Sequence, residues 1–197
     1  MFSSWPVIAR AVAAHPEAVV VSAGLAATDP AVSFPGEPGF RPDALTARAA
    51  LDHLEQARPD FMFIGLGEPD EYAHRGDYAG YVASIQAVDR TIGELRGALA
   101  RMGTRGERTH VFVTTDHGRA RSFRDHGGAY PESAAVWLAA WGPSIRARGA
   151  LVTAERHHLA DLAPTARLIL ALPSVSQDAG GGAVLRELFA DDGKAAR

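Results

Sequence analysis

Three short segments carry carboxylate and imidazole groups at spacings that suit metal binding. Asp70 precedes His74 by four residues, Asp116 and His117 are adjacent, and His126 follows in a glycine-containing loop. A spacing of four places two side chains on one face of a helical turn, so a carboxylate and an imidazole can reach one cation. Oxygen and nitrogen donors of this kind hold divalent metals such as Zn²⁺ or Mn²⁺. The segments therefore predict metal-assisted chemistry at a phosphate or sulfate ester.

Each segment taken alone also has an ordinary structural interpretation. Asp70 can cap a turn, His74 can lie at the surface, and the adjacent Asp116 and His117 can be loop residues with ordinary hydrogen bonds. A glycine pair after His126 is equally typical of a plain turn. The metal hypothesis therefore depends on the three segments occurring together.

Arginines lie between the adjacent Asp-His pair and His126. Arg119 and Arg124 are the candidates for substrate binding, because a guanidinium group binds phosphate or sulfate oxygens through parallel hydrogen bonds. A solvated basic loop explains either arginine as readily. Glu68 is interpreted either as a group that orients a ligating histidine or as a surface carboxylate.

The amino-acid composition excludes several classes of protein and of metal site. The 197 residues are 47% apolar and 22% charged, which suits one globular domain with a sizeable core. A net charge of −3 gives no basic footprint for nucleic acid, so no nucleic-acid binding is expected. There are no cysteines, which excludes disulfides and thiolate metal sites. No apolar run approaches the ~18 residues of a membrane span. The composition is rich in arginine, with Lys194 as the sole lysine, which is typical of a bacterial protein.

The hydrophobic pattern predicts strands that alternate with helices. Strands are predicted over 18–22, 61–66, 109–114 and 134–140, and helices over 5–15, 43–57, 77–102, 161–172 and 183–190. Asp43 and Asp161 are predicted N-caps, and residues 174–182 a flexible linker before the short C-terminal helix. This alternation predicts an α/β fold with a mostly parallel sheet and helices on both faces. Asp70 and Asp116 follow strands, so both are expected at one edge of that sheet.

The order of the three segments resembles the alkaline phosphatase superfamily, which includes type I phosphodiesterases, sulfatases, phosphonate hydrolases and cofactor-independent phosphoglycerate mutases. The resemblance covers residues 43–172 and includes Gly67-Glu68-Pro69-Asp70, the long helix and the segment 113–119. It implies an alkaline phosphatase-like fold. It also implies that the segments serve a two-metal site.

The resemblance assigns the candidate ligands to two metal ions. It implies that Asp70, His74 and His126 hold the first ion, and that Asp116 and His117 belong to the second. Two Zn²⁺ ions are implied in a complete enzyme, with Mn²⁺ as the alternative. One ion is expected to bind this chain.

One part of the superfamily pattern is not found. Members begin with an apolar strand that ends in a ligating Asp, and a Ser or Thr nucleophile follows it. Here the strand predicted over 18–22 leads into Ala23-Gly24-Leu25 instead. The sequence therefore predicts one partial domain over residues 1–197, without the N-terminal strand and nucleophile helix. Unpaired strand edges then predict self-association or a partner chain.

The resemblance implies a metal-dependent hydrolase of small-molecule phosphate or sulfate esters, with weak or no activity in this chain alone. The alternatives are a non-catalytic metal-binding or structural domain, and a phosphotransferase like phosphoglycerate mutase. The compartment stays open. Superfamily members are often periplasmic or secreted, whereas Met1 to Trp5 show no signal peptide and would leave the chain in the cytoplasm.

Overall fold

The computed structural model describes residues 1–12, 18–26, 39–151, 155–173 and 181–189. The chain divides into two compact units. The first contains Met1–Gly103 and Arg119–Ser133, and the second contains Thr104–Gly118 and Ala134–Arg197. Most of the predicted linker over 174–182 lies outside the described residues, and the one-domain interpretation stays a prediction.

The first unit is built on a parallel three-stranded sheet. Its strands are β1 (Phe2–Ser3), β2 (Ser22–Ala23) and β3 (Ile64–Gly65), in the order β2-β1-β3. Its helices are α1 (Ile8–Val12), α2 (Asp43–Ala57), α3 (Glu68–His74) and α4 (Tyr78–Arg101). The predicted α/β class with a parallel sheet is confirmed.

The first unit's strands are shorter than the apolar runs predicted. The central strand β1 pairs Phe2 and Ser3 with two residues of each neighbour, so β2 and β3 are each two residues long. Phe61, expected in a buried strand, lies outside that ladder and is 64% exposed. The predicted strand over 18–22 is likewise displaced to Ser22–Ala23.

The helix α4 matches its predicted span and is the longest element. The side chain of Asp77 accepts a hydrogen bond from the Gly80 amide at 2.9 Å and caps the helix. Gly103, at φ 58°, follows the last turn in the left-handed conformation that ends helices. Ala98 and Leu99 are buried, and α4 packs on α2 and α3. It thus supports the segment that carries Asp70.

Two helices of the first unit exchange carboxylates at their N-termini. Asp43, the first residue of α2, accepts hydrogen bonds from the Gly67 and Glu68 amides at 2.8 and 2.9 Å, at the start of α3. Glu68, the first residue of α3, accepts one in return from the Asp43 amide at 3.0 Å. Ser4 donates to Asp43 as well, at 2.5 Å. Asp43 was predicted to cap its own helix, and it caps α3 instead because Pro42 occupies the N-cap of α2.

Burial governs the ionisation of this carboxylate pair. Desolvation raises the pKa of Asp43, and the hydrogen bonds from Ser4, Gly67 and Glu68 only partly oppose it. Desolvation also raises the pKa of Glu68. Helix N-termini favour negative charge, so the N-terminus of each helix stabilises the ionised carboxylate of the other and offsets part of the free-energy cost of its burial.

The described residues of the second unit include an antiparallel strand pair and two α-helices. Strands β4 (Val111–Thr114) and β5 (Leu138–Trp141) pair in a separate sheet, from Val111 with Trp141 to Thr114 with Leu138. Its helices are α5 (Thr104–Glu107) and α6 (Leu162–Ile169). Because β3 and β4 belong to different sheets, the shared sheet edge expected for Asp70 and Asp116 was wrong. The predicted C-terminal helix is a single 3₁₀ turn, Arg186–Leu188.

Asp161 joins two segments of the second unit. Its carboxylate accepts hydrogen bonds from the amides of His158 and Ala183, both at 2.8 Å. Asp161 is the N-cap residue of α6, as predicted, but its side chain makes no cap hydrogen bond to that helix. The carboxylate bonds backward to the His158 amide instead, and Asp161 ends the 3₁₀ turn Leu159–Asp161 that precedes α6. Desolvation raises the pKa of Asp161, but these two amides and the nearby histidines outweigh it, and the net shift is downward.

None of the described helices combines the length and apolar character needed to cross a bilayer.

We predict that Asp43→Ala lowers the free energy of unfolding by about 3 kcal/mol, because it leaves one buried and one part-buried amide at the start of α3 without their acceptor. Urea denaturation followed by circular dichroism measures the loss. Asp52→Ala is the matched control in the same helix, since that side chain is 61% exposed, and should change stability by less than about 0.5 kcal/mol. Equal effects of the two variants would contradict the exchange of carboxylates.

We predict that Asp161→Asn destabilises the protein at neutral pH and that this difference shrinks in acid. The folded pKa of Asp161 is lowered, so its contribution is present above the unfolded pKa and is lost as pH falls through the folded pKa. At pH 7 the expected loss is about 1–2 kcal/mol, since the amide replaces only one of two acceptor oxygens. Urea denaturation of both proteins across a pH series tests this, and a gap that does not change with pH would contradict it.

Candidate metal centre

The helix α3 presents Asp70 and His74 on one face. The helix is anchored through Glu71 and Ala73, which are both buried. The Glu71 carboxylate accepts a hydrogen bond from the Trp5 indole at 3.0 Å. With its first turn held by Asp43 as well, α3 is fixed along its length. Asp70 and His74 are one turn apart and share a face, as their spacing predicts.

His126 is carried by a compact loop, residues 119–126, which we call the arginine loop. The Ala120 amide donates to the Asp125 carbonyl at 2.9 Å, and the Phe123 amide donates to the Ala120 carbonyl at 2.8 Å. Phe123 adopts φ 70°, which is unusual for a bulky residue. Its ring packs edge-on against Tyr78 and Tyr81, with centroids 5.4 and 5.1 Å away. These contacts hold the loop against the start of α4.

The structure brings Asp70, His74 and His126 together in the first unit. The Nε2 atoms of the two histidines are 3.0 Å apart. His74 Nε2 lies 3.3 Å from Asp70 Oδ2, and His126 Nε2 lies 3.7 Å from Asp70 Oδ1. Two imidazole nitrogens this close need a proton on one of them or a cation between them.

These three side chains fit a single divalent cation. Donors bound tetrahedrally to Zn²⁺ at its usual distances lie about 3.3 Å from one another. The two imidazole nitrogens are 3.0 Å apart, and different oxygens of the Asp70 carboxylate lie 3.3 Å from His74 and 3.7 Å from His126. A carboxylate group and two imidazole nitrogens are also the donor types that such ions take. That they bind an ion stays a prediction.

The arginines predicted to bind substrate are placed differently from each other. Arg119 is largely buried and forms an ion pair with Asp70 Oδ1, while desolvation lowers its pKa. Arg124 is exposed, and its guanidinium group covers Gly76, where a Cβ atom would lie 2.5 Å from its Nε. Gly76 has φ 72°, so the lack of a side chain serves both the turn and this close approach.

Asp116 and His117 belong to the second unit and follow β4. Asp116 is 76% exposed, and its Oδ1 accepts a hydrogen bond from the His117 amide at 3.0 Å. His117 Nδ1 lies 3.0 Å from the Gly118 carbonyl oxygen. Because a carbonyl only accepts, a hydrogen bond between these two atoms requires the proton on Nδ1.

Sequence reasoning missed the residues that hold this centre in place. Glu68, interpreted as a group that orients a histidine or as a surface carboxylate, binds the Asp43 amide instead. Glu71 and its bond to Trp5 had no signal, since 66 residues separate the two. Among these residues, only Asp43 could be recognised from the sequence, because an aspartate at the start of a helix is typical of a capping group.

Comparison with known proteins agrees with the resemblance. The family model of the Metalloenzyme superfamily matches residues 38–174. Curated relatives named 2,3-bisphosphoglycerate-independent phosphoglycerate mutase include a protein of Natronomonas pharaonis, 39% identical over 72 residues, or 36% of this chain and 13% of the relative. The relative of Gloeothece citriformis is 34% identical over 126 residues, which cover 60% of this chain and 23% of the relative. That of Gluconobacter oxydans is 30% identical over 141 residues, which cover 70% of this chain and 25% of the relative.

The chain thus spans a quarter or less of the length of these relatives. The family match covers more than half of the chain and contains all five candidate ligands. It confirms the resemblance to the alkaline phosphatase superfamily. The chain belongs to the Metalloenzyme superfamily, whose members are alkaline phosphatase-like.

Proposed function

We propose that this chain binds one divalent metal ion through Asp70, His74 and His126, and that it serves an enzyme that hydrolyses or transfers the phosphate group of a small-molecule ester. The observation that carries the proposal is the convergence of three donor groups within 3.0–3.7 Å of one another. Zn²⁺ is the first candidate ion and Mn²⁺ the alternative.

The donor set suits phosphoryl chemistry. A divalent ion held here would polarise a phosphoryl oxygen and neutralise charge that develops on the transferred group. Arg124 places an exposed guanidinium group over Gly76, two residues beyond His74. We propose that this group binds the substrate's anionic oxygens. Asp116 and His117 would supply part of a second metal site.

Phosphate transfer is favoured over sulfate hydrolysis by the relatives. The three relatives described above are named as phosphoglycerate mutases, which supports a phosphotransferase or phosphatase rather than a sulfatase. The chain spans only part of their length, so this activity is proposed for a complete enzyme. A non-catalytic metal-binding domain is the second candidate, because the superfamily's nucleophile pattern has no match in this sequence.

We predict that the chain binds about one Zn²⁺ and that His74→Ala and His126→Ala each lower its affinity by at least about tenfold, since each removes one of three protein donors. Isothermal titration calorimetry measures both quantities. His53→Ala is the matched control, because this histidine lies in α2 with its ring against Phe2. Affinities unchanged by the first two substitutions would rule out the assigned ligands.

We predict little or no turnover of p-nitrophenyl phosphate or bis-p-nitrophenyl phosphate by the metal-loaded chain alone. Covalent phosphoryl transfer needs a nucleophile, and the superfamily's Ser or Thr motif is not found here. Release of p-nitrophenol, followed by absorbance with the metal-free chain as control, measures the activity. Fast turnover that depends on metal and is lost in His74→Ala would show that the nucleophile lies within this chain.

A further inference from the structure

Arg119 connects the two segments that carry the candidate ligands. Its Nη2 atom is bonded to Asp70 Oδ1 in α3. Its Nη1 atom donates to the Phe123 and Arg124 carbonyls, both at 3.2 Å, within the arginine loop. The side chain is only 15% exposed. One guanidinium group therefore holds both α3 and the backbone just before His126.

This set of partners suits a fixed structural bond better than a substrate contact. The planar guanidinium group has five N–H donors in a rigid fork, and here at least three point at acceptors of the protein. A charged group removed from water is costly unless it is paired and hydrogen-bonded. Asp70 and the two carbonyls meet that requirement without a ligand.

The bond also distinguishes the two oxygens of Asp70. Oδ1 accepts the hydrogen bond from Arg119, whereas Oδ2 lies 3.3 Å from His74 Nε2. A carboxylate held through one oxygen has a fixed rotation, so its other oxygen is presented in one direction. That direction is toward the histidine.

We infer that Arg119 is a positioning residue of the metal centre: it fixes the carboxylate of Asp70 and ties the arginine loop to α3, so that His126 is held beside His74. This role rests on the proposed metal site and replaces the predicted contact of Arg119 with substrate. Groups that orient metal ligands in this way contribute about 10–100-fold to metal affinity.

An alternative role for Arg119 predicts the opposite change in Zn²⁺ affinity when the residue is removed. If Arg119 only neutralised Asp70 in the metal-free chain, its removal would leave a more negative site and would strengthen cation binding. A positioning residue, by contrast, weakens binding when it is lost. The direction of the change in Zn²⁺ affinity therefore decides between the two roles.

The test compares Arg119→Met with Arg121→Met in the full chain. Arg121 lies in the same loop but is 94% exposed, and its partner is Glu132 at 3.3 Å. Calorimetric titration with Zn²⁺ should show at least about a tenfold loss for Arg119→Met and no change for Arg121→Met. With Co²⁺ as the probe, Arg119→Met should also lose intensity in the visible absorption bands that report the geometry of the bound ion.

Arg119→Lys provides a second variant if Arg119→Met does not fold, as judged by circular dichroism. Lysine keeps the charge next to Asp70 but cannot bridge to both carbonyls, so an intermediate affinity is expected. Affinity equal to or above that of the wild type in the folded variants would overturn the positioning role, and the metal site would stand. Failure of the wild type to bind Zn²⁺ would overturn the proposed function itself.

Discussion

The first unit depends on the exchange of carboxylates between Asp43 and Glu68. Each side chain binds backbone amides at the start of the other's helix, so α2 and α3 begin at one shared polar cluster. Amides at a helix start have no partner within the helix, and they lose free energy if they are buried without one. If either helix moved away, buried amides at the start of the other would lose their acceptor.

This exchange of carboxylates also makes the candidate metal centre rigid. Because α3 is held at its first turn by Asp43 and farther along by Trp5, the face that carries Asp70 and His74 is fixed. The third donor comes from a loop far away in sequence, and Arg119 makes the bonds that join that loop to α3. A metal ion would thus bind donors whose separation is already set by neutral backbone and charged side chains.

The sequence predicted the features that depend on local pattern. The span of α4 follows from apolar residues at steps of three and four, and Asp70 and His74 share a face because of their spacing. The lengths of β1, β2 and β3 could not be predicted, since each is set by what it pairs with and not by its own apolar run. The same holds for Asp43 and Asp161, whose partners lie 24 and 22 residues away. A capping residue signals that an amide will be bound, but not which helix supplies it.

Phe123 has a consequence for the stability of the arginine loop. Its positive φ costs on the order of 1–3 kcal/mol, and the contacts that offset this cost come from the tyrosines of α4 and from Arg119. The native backbone of the arginine loop is therefore stable only with α4 packed against it. Since 52 residues separate His74 from His126, bringing them together also carries an entropic cost of closing that stretch of chain. The position of His126 beside His74 thus depends on two tyrosines of α4, and a substitution of either tyrosine would act on the centre through the loop.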